Sequence, residues 1–209
     1  MRLILASTSP RRRDILALLR VPFEVVAPEF DEQVSRHVPL EEEVVEFAFG
    51  KARSVASEHP RSIVIGSDTM IEFGGQKIGK PVDRLDASRI LRSLSGKTHS
   101  IFTGVAIVDG CGGPGVSSME KVSVKMHPFS EEEIQTYLDC NESFDKAGAY
   151  SIQGEGSRLI RSLCGDYLAA VGMPLRLIAA YLKGRGFSLF DIDRLYAEKP
   201  FINWGRFSR

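Results

Sequence analysis

Strands and helices alternate along this sequence, which predicts an α/β fold. Two observations carry that prediction. The apolar runs Leu3-Ile4-Leu5-Ala6 and Ser62-Ile63-Val64-Ile65, the latter continuing to Ile71, have the nearly unbroken hydrophobicity of strands covered on both faces. Between them, residues 10–19 and 39–57 place their apolar side chains at helical spacing.

The first helix opens at Ser9, a favoured N-cap, with Pro10 at the first helical position, and its apolar arc runs through Ile15, Leu16, Leu18 and Leu19. Its first turn holds Arg11, Arg12 and Arg13. That is the wrong sign for the positive end of a helix dipole, where each cation costs roughly 0.3–1 kcal/mol. At 100° per residue Arg11 and Arg12 fall inside the apolar arc and Arg13 outside it. Two guanidiniums therefore join the unpaired backbone N–H groups and the Ser7 hydroxyl in a phosphate-binding corner. Arg13 reads as solvated.

A turn and short strand at residues 21–28 end in the acidic stretch Glu29-Phe30-Asp31-Glu32, where a sheet opens into a cleft. The helix that follows buries Val44, Val45, Ala48, Ala52, Val55 and Ala56. Lys51 lies at the edge of that stripe, where a lysine either snorkels or meets an acid or phosphate. Gly50 beside it costs roughly 1 kcal/mol of helix propensity relative to alanine, a sign of close packing or of tolerance. In the next strand Asp68 interrupts an apolar run, and a carboxylate there needs a partner or a metal.

Residues 72–78 read as a hairpin, Gly79-Lys80-Pro81 as a turn, and residues 86–94 as a helix. Two long strands, residues 97–108 and 116–127, flank Gly110-Cys111-Gly112-Gly113-Pro114-Gly115. This is a literal G-x-G-x-x-G, but strand-forming residues follow it where a dinucleotide site needs a helix, so it reads as a hairpin loop. Ser130 and Glu133 form a capping box for a helix to about Asp139. Residues 144–154 mix charge, glycine and amide as site loops do. Strands are expected at residues 158–163 and 167–171, then a helix over residues 175–183 stopped by Gly184. The domain is read as residues 1–186, with 187–209 as a C-terminal tail that lacks a clear period.

The 209 residues carry 27 Lys plus Arg against 27 Asp plus Glu, so no bulk field draws the chain toward nucleic acid or an anionic membrane. Any cationic function is local. The sequence enters a strand without a leader and has no bilayer-spanning apolar run, and its three widely spaced cysteines suit a reducing compartment; the expected location is the cytoplasm. No Walker motif and no nucleophile elbow occurs. Cations at Ser7-flanked Arg11 and Arg12, Lys51 and Lys80, facing acids at Asp31, Glu32 and Asp68, suit a polyphosphate sharing its charge with magnesium or manganese. Water is then the attacker, with Asp68 as base or as metal ligand.

The segments Leu5-Ala6-Ser7-Thr8-Ser9-Pro10-Arg11-Arg12, Asp31-Glu32, Lys51-Ala52, Gly66-Ser67-Asp68-Thr69, Gly79-Lys80-Pro81, Leu94-Ser95-Gly96-Lys97-Thr98-His99 and Asp145-Lys146-Ala147-Gly148-Ala149-Tyr150-Ser151-Ile152-Gln153-Gly154 resemble, in order, the Maf family of nucleoside triphosphate pyrophosphatases. The resemblance implies a mixed twisted sheet in two lobes with a central cleft, related to the inosine triphosphate pyrophosphatases. It also implies metal-dependent cleavage of a nucleoside triphosphate between the α- and β-phosphates. By that likeness Asp68 is the proton acceptor, Glu32 and Asp68 hold the metal, and Ser7, Arg12, Lys51 and Lys80 bind phosphates. Arg11, Thr69 and Gln153 tune substrate choice. The 145–154 stretch resembles the branch acting on dTTP and UTP, and a homodimer is common in such enzymes. Two other readings stand beside this one: a pyrophosphatase for 7-methyl-GTP or ITP, and a nucleotide-binding regulator of cell division without catalysis.

Overall fold

The register of the first strands determines where the polar residues emerge. In a computed structural model describing residues 1–35, 37–110 and 115–207, β1 (Arg2–Ala6) pairs in parallel with β2 (Glu24–Val26) and β3 (Ser62–Phe73). Leu5 lies opposite Val25 and Ile65, and Ala6 opposite Val26 and Gly66. Ser7 therefore follows Ala6 where Ser67, and one residue later Asp68, follows Gly66. The strands form a seven-stranded mixed sheet, ordered β2-β1-β3-β5-β6-β7, with β4 (Gln76–Ile78) paired to β3; β5 is Thr98–Asp109, β6 Val116–Met126 and β7 Ile160–Cys164. The α/β class read from the sequence is the class observed.

Residues 1–69, 103–120 and 171–199 make one compact unit, and residues 70–102, 121–170 and 200–209 a second. In the first, α1 (Pro10–Ala17) and the long α2 (Leu40–Glu58) accompany the parallel strands, with α6 (Leu175–Gly184) and α7 (Ile192–Glu198) following. Ile4, Ala6, Ala52, Val55 and Val64 form a core cluster between sheet and α2. Two glycines let that helix come close. A Cβ on Gly66 would lie 2.2 Å from the Ala48 carbonyl oxygen, and one on Gly104 would lie 2.2 Å from that of Val44. Helix α1 is shorter than expected: it stops at Ala17, and Leu19 is buried from the turn that follows.

The second unit holds the β3–β4 hairpin, whose turn residues Gly74 and Gly75 have φ of 61° and 77°, values that glycine adopts at least cost. Helices α3 (Arg84–Leu94) and α4 (Glu131–Asp139) are tied by Arg84 to Asp139 and Arg92 to Glu131. The capping box expected at Ser130 and Glu133 is present. Two expectations are corrected here. Residues 155–159 form a 3-10 turn, so the strand begins at Ile160, and residues 167–171 are not a strand but a helix, α5 (Tyr167–Val171). All five α5 residues are buried, so the run has no polar face to reveal its period, and Asp166 starts the helix by accepting the Leu168 N–H at 2.9 Å.

The glycine-rich stretch precedes a strand rather than a helix, as the hairpin reading requires; its residues 111–114, with Cys111, lie outside the described residues. Cys140 and Cys164 are exposed free thiols. Among the described residues no helix is long and apolar enough to cross a membrane.

Candidate active site

The first unit gathers most of the residues singled out from the sequence. Ser9 caps α1 by accepting the Arg12 N–H at 3.5 Å, and buried Ser7 accepts the Ser9 N–H at 3.1 Å, so both hydroxyls order the turn into the helix. Arg11 and Arg12 are half-buried, whereas Arg13 is exposed and paired with Asp14 at 3.1 Å. Exposure thus divides the three arginines as their helical angles do.

Arg12 is held by groups distant in sequence. Its Nε donates to the Gly172 carbonyl at 3.0 Å and an Nη to Thr69 Oγ1 at 3.2 Å, while Thr103 donates to the same Thr69 oxygen at 3.2 Å. The Ser67 hydroxyl is shared between the Gly104 and Gly172 carbonyls at 2.7 and 2.9 Å. Gly172 adopts φ 132°, a backbone region that favours glycine, and thereby presents its carbonyl to both side chains. Burial pushes the Arg12 guanidinium below its ordinary pKa; the carboxylates of Asp68 and Glu32 oppose that shift and neighbouring Arg11 adds to it.

Lys51 is the centre of the charged cluster. Its Nζ lies 2.5 Å from Asp68 Oδ1 and 2.6 Å from Glu32 Oε1; Lys51 and Asp68 are buried, while the Glu32 side chain is 49% exposed. The close approach of α2 at Gly66 and Gly104 brings the lysine to Asp68. Gly50 brings in the glutamate: the Phe30 ring occupies the space where a Cβ would be, 2.2 Å from its position, and packs edge-on against Phe47 at 5.6 Å. Phe30 thus anchors the loop two residues before Glu32. The other acid of that loop, Asp31, is exposed and accepts from Gln33 at 2.9 Å.

Two of the expected residues belong to the second unit. Lys80 is exposed and lines a cleft of about 370 Å³ together with Lys77 and Arg89. Gly79, just before it, accepts the Gly148 N–H at 3.1 Å, which ties the Gly-Lys-Pro turn to the 145–154 loop. Gln153 is half-buried in that loop.

Sequence reasoning missed the buried pair supporting the loop, His99 and Tyr150, joined at 2.7 Å through His99 Nε2. Burial pushes His99 down to about 4 and raises Tyr150 above the ordinary phenol value. An unfolded histidine titrates near 6.5. The unfolded chain therefore binds the extra proton first, and the contribution of neutral His99 to stability, whole above pH 6.5, is lost as pH falls toward 4. The expected loss is at most about 3 kcal/mol. Chemical denaturation between pH 7 and 4 should show it, and His99→Gln should flatten the profile; an unchanged slope would contradict the assignment.

Among the described residues no three His, Cys, Asp or Glu side chains cluster as a ready-made metal site. Glu32 Oε1 and Asp68 Oδ1 nevertheless converge on a single cationic point, the Lys51 ammonium. Two hard oxygen donors fit magnesium, which binds through one or two carboxylates together with substrate phosphates and water.

A mixed-sheet α/β protein with an arginine corner beside a lysine-bridged carboxylate pair is the class these features define. The chain belongs to the Maf-like protein family, whose model matches residues 2–185. It is 43% identical over 189 residues to a dTTP/UTP pyrophosphatase of Symbiobacterium thermophilum, covering 90% of this chain and 96% of that protein. To a dTTP/UTP pyrophosphatase of Clostridioides difficile it is 41% identical over 196 residues, covering 94% and 99%. Among solved structures, the Staphylococcus aureus Ham1 protein aligns over 88% of this chain and 100% of its own at 15% identity, with a TM-score of 0.47.

Proposed function

We propose that this chain is a metal-dependent nucleoside triphosphate pyrophosphatase that hydrolyses dTTP and UTP to the nucleoside monophosphate and pyrophosphate. The observation that carries the reading is Lys51 held between Asp68 and Glu32 in the same unit as the Arg12 corner. The relatives named dTTP/UTP pyrophosphatase support the choice of substrate. The catalytic domain is residues 1–186, and the family match over nearly the same span supports that boundary.

In this mechanism Ser7, Arg12, Lys51 and Lys80 bind phosphate oxygens, and Arg11, Thr69 and Gln153 set which nucleotide is accepted. Asp68 takes a proton from the water whose oxygen bonds to the α-phosphorus. The bond from that phosphorus to the bridging oxygen breaks, and pyrophosphate leaves with the bonding pair. Glu32 and Asp68 would hold magnesium or manganese, which when bound supplies charge neutralisation for the phosphates and a more acidic water.

Pyrophosphate release measured across dTTP, UTP, 7-methyl-GTP and ITP, with and without magnesium, tests the reading. The expected result is a kcat/KM for dTTP and UTP at least about tenfold above either purine, the scale of roughly one differential binding contact, and no release without the metal. A purine preference would overturn the substrate, and undiminished turnover in chelator would overturn the metal.

A further inference from the structure

The stretch after residue 185 lies outside the family match, yet part of it reaches the loop that carries Gln153. That loop is suspended from several fixed points within the second unit. Tyr137 accepts the Ser151 N–H at 3.0 Å, Ser151 Oγ accepts the Gly154 N–H at 3.1 Å, and the Glu142 carboxylate accepts the N–H groups of Glu155 and Gly156 at 3.2 and 3.4 Å. None of these bonds reaches Gln153 itself. Its carbonyl accepts instead from Asn203 Nδ2 at 3.1 Å.

Asn203 is held firmly enough to act as a fixed donor. It has φ 69°, a left-handed conformation that asparagine tolerates better than most residues. On one side of it the Ile202 carbonyl accepts the Tyr167 hydroxyl at 2.9 Å. On the other, Trp204, 2% exposed, stacks on the Tyr167 ring at 5.5 Å and 11° between planes, and Phe207 stacks on the same tyrosine at 6.4 Å. Aromatic stacking of this kind is a rigid anchor with few rotatable bonds. Trp204 begins α8 (Trp204–Phe207), and Arg206 of that helix donates to the Ile160 carbonyl at 3.4 Å.

We propose that the C-terminal segment 200–207 is a positioning element for nucleobase selection, in which Asn203 fixes the main chain at Gln153. The inference rests on the reading of Gln153 as a residue that tunes substrate choice. Segment and loop work as one piece: the aromatic anchor sets Asn203, Asn203 sets the Gln153 carbonyl, and the carboxamide is presented from a main chain that cannot drift.

Asn203→Gly in the full-length protein tests this, because glycine keeps the backbone conformation and removes only the donor. Amide hydrogen exchange should accelerate at residues 151–156 by about fivefold, the scale of one neutral hydrogen bond, while the thermal midpoint stays close to wild type. The dTTP-to-ITP ratio of kcat/KM should fall by about fivefold, through a higher KM for dTTP at nearly constant kcat. Unchanged exchange overturns the clamp, and faster exchange with an unchanged ratio overturns its role in selection. If the wild type releases pyrophosphate from none of these nucleotides, the pyrophosphatase reading fails by itself, and the exchange measurement still decides whether Asn203 holds the loop.

Discussion

Asp68→Asn should lower turnover by about a thousandfold and leave nucleotide affinity within a few-fold of wild type. General-base catalysis is worth roughly 10²–10⁴ in rate. Asparagine keeps the shape of the side chain and an oxygen that can accept from Lys51, but it cannot take a proton at the pH of the reaction and is a poorer ligand for a hard cation. The lysine also keeps Glu32 as its partner, so the cation remains neutralised when the aspartate charge is removed. Pyrophosphate release reports the first effect and equilibrium titration with dTTP the second. Turnover near the wild-type rate would remove Asp68 from the role of base; weakened binding at unchanged turnover would make it a binding residue instead.

Gly66→Ala carries the largest expected cost to stability. The added methyl would lie 2.2 Å from the Ala48 carbonyl oxygen and 2.8 Å from the Ala52 nitrogen, both main-chain atoms of α2 that cannot rotate away. Overpacking in a core costs typically 1–3 kcal/mol, and a clash with two main-chain atoms of one helix belongs at the upper end, about 3 kcal/mol. For a protein of this size that corresponds to a fall of roughly 6–12 °C in the unfolding midpoint. Activity should fall as well, because lifting α2 from β3 draws Lys51 away from Asp68. Gly184→Ala is the control: a Cβ there meets nothing within 4 Å, and its midpoint should be unchanged or slightly higher. A Gly66→Ala protein as stable as the control would contradict the close approach of helix and strand.

What could be read in advance was local. Ser9, Pro10 and the arginine run encode the start of α1 within a few residues, and helical angles alone separate Arg11 and Arg12 from Arg13. Asp68 is conspicuous because it interrupts an apolar strand, and Lys51 because it borders an apolar stripe. The pairing of those two residues was not legible, since it depends on how closely a helix approaches a sheet at Gly66 and Gly104. Nor was the purpose of Gly50, which is the space taken by Phe30 from a different segment. Arg12 finds the Gly172 carbonyl 160 residues away, and no spacing in a sequence announces such a contact. Glu43 shows the same limit from the other side. As one of three consecutive acids in the first turn of α2 it looks like an ordinary dipole complement, yet it is 1% exposed and accepts the Ser35 N–H at 2.6 Å. Helix α5 is illegible in the sequence for a plainer reason: a segment enclosed on every side shows no periodicity.

The oxygen of Gly172 has a further consequence for an anion. A carbonyl oxygen is electron-rich and carries two lone pairs, and left bare beside an arginine corner it would repel an approaching phosphate. Here the Arg12 guanidinium and the Ser67 hydroxyl each take a share of it. The contacts that steady Arg12 therefore also mute a nearby negative pole, so the corner faces its ligand with donors foremost.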